Sequence, residues 1–319
     1  MWNPCIIGED DRFVYGLVDP LQEGEILFRF FVEAFGRQFD VQDYRWFKLH
    51  HPYSRNRVYT AREKASERFA AAICMLPFKY RLGREICWGS LCTGVVTHPD
   101  FRRLGLFERL NRMIPGPEDL AGSMCGVGFP NPAAFRGHLR AGWSHVADLR
   151  FYEKRDFKSR SSSAVKVERF DERYDAFCME AVHEFDLCHA KDRRVLNWRY
   201  CDRPGSPYEC YAVDDGRVEG LTVLKRFESQ GTRKTHIMEF LALNRHAAKE
   251  LFAIAEMCAA GSDLLNVWVP PGGRYKRFFE AAGFLPTAEA SPVILRMHDG
   301  TGLPATTSPW FVFGDNDVY

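Results

Sequence analysis

The sequence repeats itself once in outline. Trp46 is followed at offsets of six, eight and thirteen by Pro52, Ser54 and Tyr59, and Trp198 is followed at the same offsets by Pro204, Ser206 and Tyr211. Each half also ends a helix-like stretch on a glycine followed by an aromatic, Gly142-Trp143 and Gly283-Phe284, where glycine suits a left-handed helix cap. With 319 residues the chain exceeds what one core usually organises, so duplication into two similar domains is the expected solution. Strand and helix patterns alternate in both halves, which predicts α/β domains with helices packed on a sheet. The predicted strands of the first half are 13–18, 57–63, 69–80, 90–97 and 123–128, then further strands from 145. Its predicted helices are 21–36, a helix around Trp46, 104–114 and 132–141. The second half is expected to repeat the order, with strands 165–169, 207–214, 218–226, 235–243 and 264–269 and helices 172–186, 193–200, 246–260 and 273–282. The Ser-rich run Lys158 to Ser163 reads as the linker, dividing the chain into 1–159 and 160–319.

A hydrophobic fraction of 46% excludes a largely disordered chain. A net charge of +1 supplies no long-range field for a nucleic-acid backbone or an anionic membrane, so any anion must be held by a local site. No run approaches the roughly 20 apolar residues of a membrane span, and the stretch Met1–Asp10 lacks the basic start of a secretory signal. The ten cysteines form no C-x-x-C pair, which reads as reduced core thiols in a cytoplasmic protein without a metal site. Walker A, H-E-x-x-H and G-x-S-x-G patterns are all missing, and Gly126-Val-Gly128 lacks the third glycine of a dinucleotide loop.

The sharpest local signal is LCTGVVTHPDFRRLGLFERLNRMI, residues 91–114, an apolar strand leading through Pro99 and a basic turn into an amphipathic helix. Arg102, Arg103, Leu104, Gly105, Leu106 and Phe107 fall where a strand-to-helix loop exposes main-chain N–H groups at a helix N-terminus. Such a loop suits a phosphate or diphosphate, because unpaired N–H groups and the positive end of the helix dipole face the anion together. Gly105 permits close approach, and the two arginines add charge.

This run resembles the central motif of the GNAT superfamily, the Gcn5-related N-acetyltransferases: Thr97-His-Pro99, then Arg102, Gly105 and Phe107 follow its V-x-P-x-x-[RQ]-x-x-G-x-[GA] pattern. Phe107 departs from the small final residue. A second motif, N-x-x-A-x-x-x-Y-x-x-x-G-F, is matched by Asn131, Ala134, His138, Gly142 and Trp143. The resemblance implies that the loop grips the diphosphate of an acyl-CoA donor. It further implies that Val95, Val96 and Thr97 on a splayed strand bond the pantetheine arm and polarise the thioester, and that Asn131 faces the cofactor. His138 stands where many members place a tyrosine that protonates the departing thiolate. In the second half Gly272 and Phe279 occupy the Asn and Tyr positions and no R-x-x-G-x-G loop follows 235–243.

The implied architecture is two tandem GNAT-like domains, each a mixed, mostly antiparallel sheet flanked by helices. The second would be degenerate, closing over the first and shaping the acceptor pocket. Within the superfamily the chain looks most like a tandem-domain subgroup tied to bacterial surface-polysaccharide synthesis, whose acceptors include nucleotide-linked amino sugars. The expected reaction is direct attack of an acceptor amine on acyl-CoA in a ternary complex. Alternatives are an aminoacyl-tRNA-dependent transferase of the peptidoglycan-bridge type and a non-catalytic CoA-binding regulatory module.

Other residues carry open readings. His98, before a proline, reads as a loop residue. Asp315 and Asp317 could hold an amine or a sugar hydroxyl, or form a turn. Trp198-Arg199-Tyr200 could stack on a nucleotide, although the repeat partner Trp46 argues for a core position. Cys92 lies on the thioester strand, but the sequence offers it no evident histidine partner, which discounts an acyl-enzyme.

Overall fold

A computed structural model describes residues 5–36, 38–53, 57–114, 123–158, 160–300 and 308–316. The elements begin with β1 (Cys5–Glu9), β2 (Phe13–Val18), α1 (Gly24–Phe35), α2 (Val41–Leu49), β3 (Arg57–Glu63), β4 (Phe69–Leu82) and β5 (Glu85–Thr97). Next come α3 (Leu106–Met113), β6 (Cys125–Gly128), α4 (Pro132–Arg140), β7 (Ser144–Lys154), β8 (Val165–Lys166), α5 (Arg173–Ala181), β9 (Leu187–His189) and α6 (Arg193–Leu196). The chain continues with β10 (Tyr208–Asp214), β11 (Val218–Ser229), β12 (Thr232–Ala242), α7 (Arg245–Cys258), β13 (Leu264–Val269), α8 (Gly273–Ala281), β14 (Leu285–Met297) and β15 (Pro309–Trp310).

The chain forms two compact units. In the first, the strand order is β1-β2-β3-β4-β5-β6 followed by the end of β14. The neighbours β1–β2, β2–β3, β3–β4 and β6–β14 are antiparallel, and β5–β6 is parallel. Parallel pairing requires a crossover, and α3 supplies it. Helix α1 presents Leu27, Phe30, Phe31 and Ala34 to one side of the sheet. It stops at Gly36, whose φ of 64° returns its N–H to the Val32 and Glu33 carbonyls. Helix α2 starts on Asp40, whose carboxylate accepts from the N–H groups of Gln42 and Asp43. Leu106 and Leu110 of α3 join Tyr15, Tyr59, Ile73, Trp143 and Ile294 in a second apolar cluster.

The second unit follows the same plan. Its strand order is β7-β13-β12-β11-β10-β8, with β12–β13 parallel across α7 and β13–β7, β11–β12 and β10–β11 antiparallel. The echo Trp46 and Trp198 holds in packing, since both are buried. It does not hold in local form: Trp46 sits on α2, whereas the helix expected over 193–200 gives way after Leu196 to a π-helical turn, Asn197–Cys201. Asn197 draws the chain into that turn, its side chain accepting from the N–H of Phe170 and donating to the Phe170 carbonyl, both at 2.9 Å. Ser54, in the first copy of the echo, lies outside the described residues.

The compact units do not divide at a single point near residue 160. Residues 147–292 belong to the second unit, and Val293–Leu303 returns to the first. Each unit therefore takes its last strand from the other half of the chain: β14 completes the sheet beside β6, and β7 completes the sheet beside β13. Val293, Ile294 and Leu295 are 0%, 0% and 1% exposed, and burying such a side chain contributes about 1.5–3 kcal/mol each. A fragment ending at residue 159 lacks all three and leaves β6 an open edge. It is expected to show no cooperative denaturant transition by circular dichroism. A transition as sharp as that of the full chain would show that the exchanged strand is dispensable.

Candidate active site

The loop before α3 is built to leave donors unpaired. Thr97 ends β5, Pro99–Phe101 makes one tight turn, and the backbone then passes through the left-handed region at Arg103 (φ 62°) and again at Gly105 (φ 73°). Positive φ at two alternate residues turns successive N–H groups toward one side, the arrangement of an anion-binding nest. No side chain caps α3, and its first main-chain bond runs from Arg109 to the Gly105 carbonyl at 3.0 Å. Among the described residues no acceptor meets the N–H groups of Arg103 to Glu108. Arg102 to Gly105 are exposed, and Arg102 Nε reaches the Thr97 carbonyl at 3.4 Å, fastening the loop to the strand.

Beside the loop the two parallel strands part. The register of β5 with β6 runs from Gly89↔Cys125 to Cys92↔Gly128 and stops there, while β5 continues to Thr97. Gly94 has φ 57°, a conformation side chains disfavour, and a Cβ there would stand 3.0 Å from Cys74 Sγ. Val95, Val96 and Thr97 lie beyond this kink, half-buried and past the last partner on β6.

Helix α4 forms the other wall. Asn131 caps it, its carboxamide oxygen accepting from Ala134 N–H at 2.9 Å. Phe107 takes its place beside α4 because residue 137 is glycine: a Cβ on Gly137 would lie 2.6 Å from the Phe107 ring. Gly137 is a pairing the sequence reading did not find. Asn111 ties the group together, donating to the Phe107 carbonyl and accepting from Trp143 Nε1, each at 3.0 Å.

His138 lies inside this wall, 3% exposed, with Phe107 and Trp143 packed edge-on against its ring at 4.8 and 5.5 Å. Burial pushes its pKa down from 6.5 to about 4, against the pull of its hydrogen bond with the Ala134 carbonyl. At neutral pH the ring is uncharged, and the 3.0 Å contact of Nδ1 with Ala134 O places the one ring hydrogen there. Nε2 is then an acceptor, and the group facing it is Cys92 Sγ at 3.9 Å. Cys92 thus does have a histidine partner, brought from 46 residues away by the packing of α4 on β5. A resident hydrogen on Nε2, which a general acid would use, is missing from this arrangement.

The remaining sequence candidates fall elsewhere. His98 is buried and caps the turn after β5, Nδ1 accepting from Asp100 N–H at 3.2 Å. Trp198, Arg199 and Tyr200 are buried in the second unit, 3%, 5% and 2% exposed, as core residues would be. Asp315 is buried there as well, 2.8 Å from Lys191 Nζ and 3.1 Å from His189 Nδ1. Burial would raise its pKa, but the Lys191 ammonium and the His189 hydrogen bond together outweigh that and hold it at about 2. Asp317 lies outside the described residues. In the second unit Asn244 caps α7 and Phe279 is a fully buried core ring. All ten cysteines are free thiols, and among the described residues no cluster of three His, Cys, Asp or Glu is arranged for a metal. No helix among the described residues is long and apolar enough to cross a membrane.

Residues 20–145 match the family model of the acetyltransferase (GNAT) domain. The fold is GNAT-like, a mixed, mostly antiparallel sheet flanked by helices. Among solved structures, the chain is similar to a GCN5-related N-acetyltransferase from Anabaena variabilis ATCC 29413, with 11% identity and a TM-score of 0.70 over 89% of this chain and 73% of that one. One from Kribbella flavida gives 16% identity and a TM-score of 0.63 over 89% and 71%. The Saccharomyces cerevisiae N-myristoyltransferase with bound myristoyl-CoA gives 11% and 0.61 over 92% and 85%. No curated protein matches the chain in sequence. The domain match and the fold together support an acyl-CoA-dependent N-acyltransferase.

The depressed pKa of His138 has a thermodynamic consequence. The folded state favours the neutral ring, so its contribution is fully present above pH 6.5 and is lost as pH falls from 6.5 toward 4. The shift corresponds to about 3 kcal/mol. In His138→Gln the unfolding free energy is expected to vary less steeply with pH across that window than in the wild type. Equal slopes in urea titrations would contradict a buried neutral imidazole.

Proposed function

We propose that the chain transfers an acyl group from acyl-CoA to the amine of a small acceptor. The observation that carries this reading is the run of N–H groups from Arg103 to Glu108 that meet no acceptor among the described residues, set at the start of α3 beside the end of β5. In this reading those groups and Arg102 and Arg103 hold the CoA diphosphate, Asn131 faces the cofactor, and the pantetheine arm enters where β5 leaves β6. In the same reading main-chain groups of Val95, Val96 and Thr97 bond the pantetheine arm and polarise the thioester carbonyl, stabilising the oxyanion that forms. The amine nitrogen attacks the carbonyl carbon, the C–S bond breaks, and the CoA thiolate takes up the proton that the amine gives away. The acceptor we favour is an amino sugar, free or nucleotide-linked, on the strength of the sequence resemblance. The donor chain is left open, since the similar structures include an N-myristoyltransferase holding myristoyl-CoA.

Calorimetric titration with acetyl-CoA tests the site. Saturable binding is expected in the wild type, and Gly105→Glu is expected to weaken it by at least about a hundredfold, because the new carboxylate enters the nest and strains a left-handed residue. Wild-type protein that binds neither acetyl-CoA nor a longer acyl-CoA overturns the reading. Turnover with aminoacyl-tRNA and no acyl-CoA dependence would favour the peptidoglycan-bridge type, and binding without transfer to any amine a regulatory module.

A second route is favoured by one distance, the 3.9 Å between Cys92 Sγ and His138 Nε2. Here His138 accepts the Cys92 proton, the thiolate attacks the thioester, CoA leaves with that proton, and the amine then resolves an S-acyl-Cys92. Intact-mass measurement after incubation with acetyl-CoA alone separates the routes. Direct transfer leaves the mass unchanged, and the covalent route adds one hydroxylamine-labile acetyl group that Cys92→Ala lacks.

A further inference from the structure

The second unit concentrates positive charge where the chain as a whole has almost none. A groove of about 1150 Å³ runs between α7 and α8, roofed by the segment after β7 and closed by the start of β14. Eight cationic side chains line it against three carboxylates, in a chain whose net charge is +1. Part of this charge is spent inside the fold. Lys154 donates to Glu256 at 2.5 Å and to the Ala282 carbonyl at 2.6 Å, Arg155 pairs with Glu153 at 2.9 Å, and Arg274 lies 3.4 Å from Glu184. Lys158, Arg160, Arg245, Lys249 and Arg277 have no carboxylate within ion-pair distance among the described residues.

The placement of these five works against the stability of the empty protein. Arg245 is the first residue of α7, whose opening turn holds no acid, so a cation stands at the positive end of the helix dipole. Lys249 follows it at the i+4 position, a like-charge pair on one helix face. Between the charges the floor is apolar, with Ala248 and Phe252 buried on α7 and Phe278 half-buried on α8. An anion that spans these cations and lays an apolar or planar body on that floor satisfies both. The volume suits a small molecule of nucleotide size.

We propose that this groove is a second ligand site, for a small molecule that joins phosphate groups to a planar or apolar body. It is separate in sequence and in fold from the loop before α3, and it does not depend on that loop's assignment. Arginine and lysine side chains supply the charge, Arg277 and Arg245 being able to take phosphate oxygens in bidentate fashion. The floor beside Phe252 and Phe278 takes the body.

Titration of inorganic pyrophosphate, ADP and UDP into the full chain at low salt tests the proposal, using the wild type, Gly105→Glu and Lys249→Glu/Arg277→Glu. Both groove residues are exposed, and thermal melts check that the variants fold. Pyrophosphate binding is expected to survive Gly105→Glu, to weaken at least about tenfold in the groove variant and to weaken with added salt. ADP or UDP is expected to bind more tightly than pyrophosphate, and acetyl-CoA binding to be the same in the groove variant as in the wild type. Pyrophosphate binding that is absent from the wild type, or unchanged in the groove variant, overturns the proposal. So does an oligonucleotide that binds the groove more tightly than ADP. An acetyl-CoA affinity that falls in the groove variant as far as the pyrophosphate affinity does would equally overturn it, since the two sites would then be one.

Discussion

The separation of β5 from β6 after Cys92↔Gly128 is the constraint on which the rest of the first unit depends. While two parallel strands remain paired, their N–H groups are committed to each other. Beyond that point β5 runs on past the last residue of β6, leaving its β6-side edge unpaired with that strand, and Gly94 there takes a left-handed φ of 57°. The chain must then reverse into α3, and it does so with two left-handed residues and no capping side chain. A serine or aspartate at position 105 would have satisfied part of the helix start internally. Glycine leaves those donors without an internal acceptor among the described residues, and the proposed function rests on that open helix start.

Much of this was legible beforehand because it rests on local rules. Strands 13–18, 57–63 and 264–269 have the observed boundaries, and the helix expected from 104 begins two residues later, at Leu106, leaving Arg102 to Gly105 as the loop. What escaped was non-local or weakly patterned. β14 begins Leu-Pro-Thr-Ala-Glu-Ala-Ser-Pro, a run of turn formers and small residues with no apolar period, so only its pairing partners make it a strand. β1, β9 and β15 are short. The exchange of last strands could not be read from a linker-like run at 158–163, because a flexible composition marks where the chain is unconstrained and says nothing of which sheet the flanking strands join. The contact of Cys92 with His138 likewise spans two elements, as does the fit of Phe107 over Gly137. In that second case a departure from the family pattern on one helix is balanced by a missing side chain on another.

The second unit handles charge in two opposite ways. In its core, Lys191 is 7% exposed and lies 2.5 Å from Glu239 and 2.8 Å from Asp315. Burial alone would drive the ammonium toward neutrality, but the two carboxylates hold its pKa above the ordinary lysine value. The shared cation cannot serve both acids equally: Asp315 stays low, while burial keeps Glu239 raised. Removing one member of such a cluster leaves an uncompensated buried charge and is strongly destabilising.

On the surface of the same unit the logic is reversed, for the groove between α7 and α8 gathers like charges and leaves five of its eight cations without a carboxylate partner among the described residues. Water screens exposed cations, so the arrangement costs little per residue, but Arg245 and Lys249 still oppose the dipole and each other. The two units thus come to resemble each other again by different means. In the two proposals the first unit meets an anion with main-chain N–H groups at a glycine-bearing turn, and the second, where Asn244 takes up the Ala247 N–H at the start of α7, meets it with side chains. Main-chain donors in a fixed turn recognise one phosphate geometry closely, whereas long side chains adapt to several. On these proposals one plan used twice yields two phosphate sites of different chemistry, one built from main-chain donors and one from side chains.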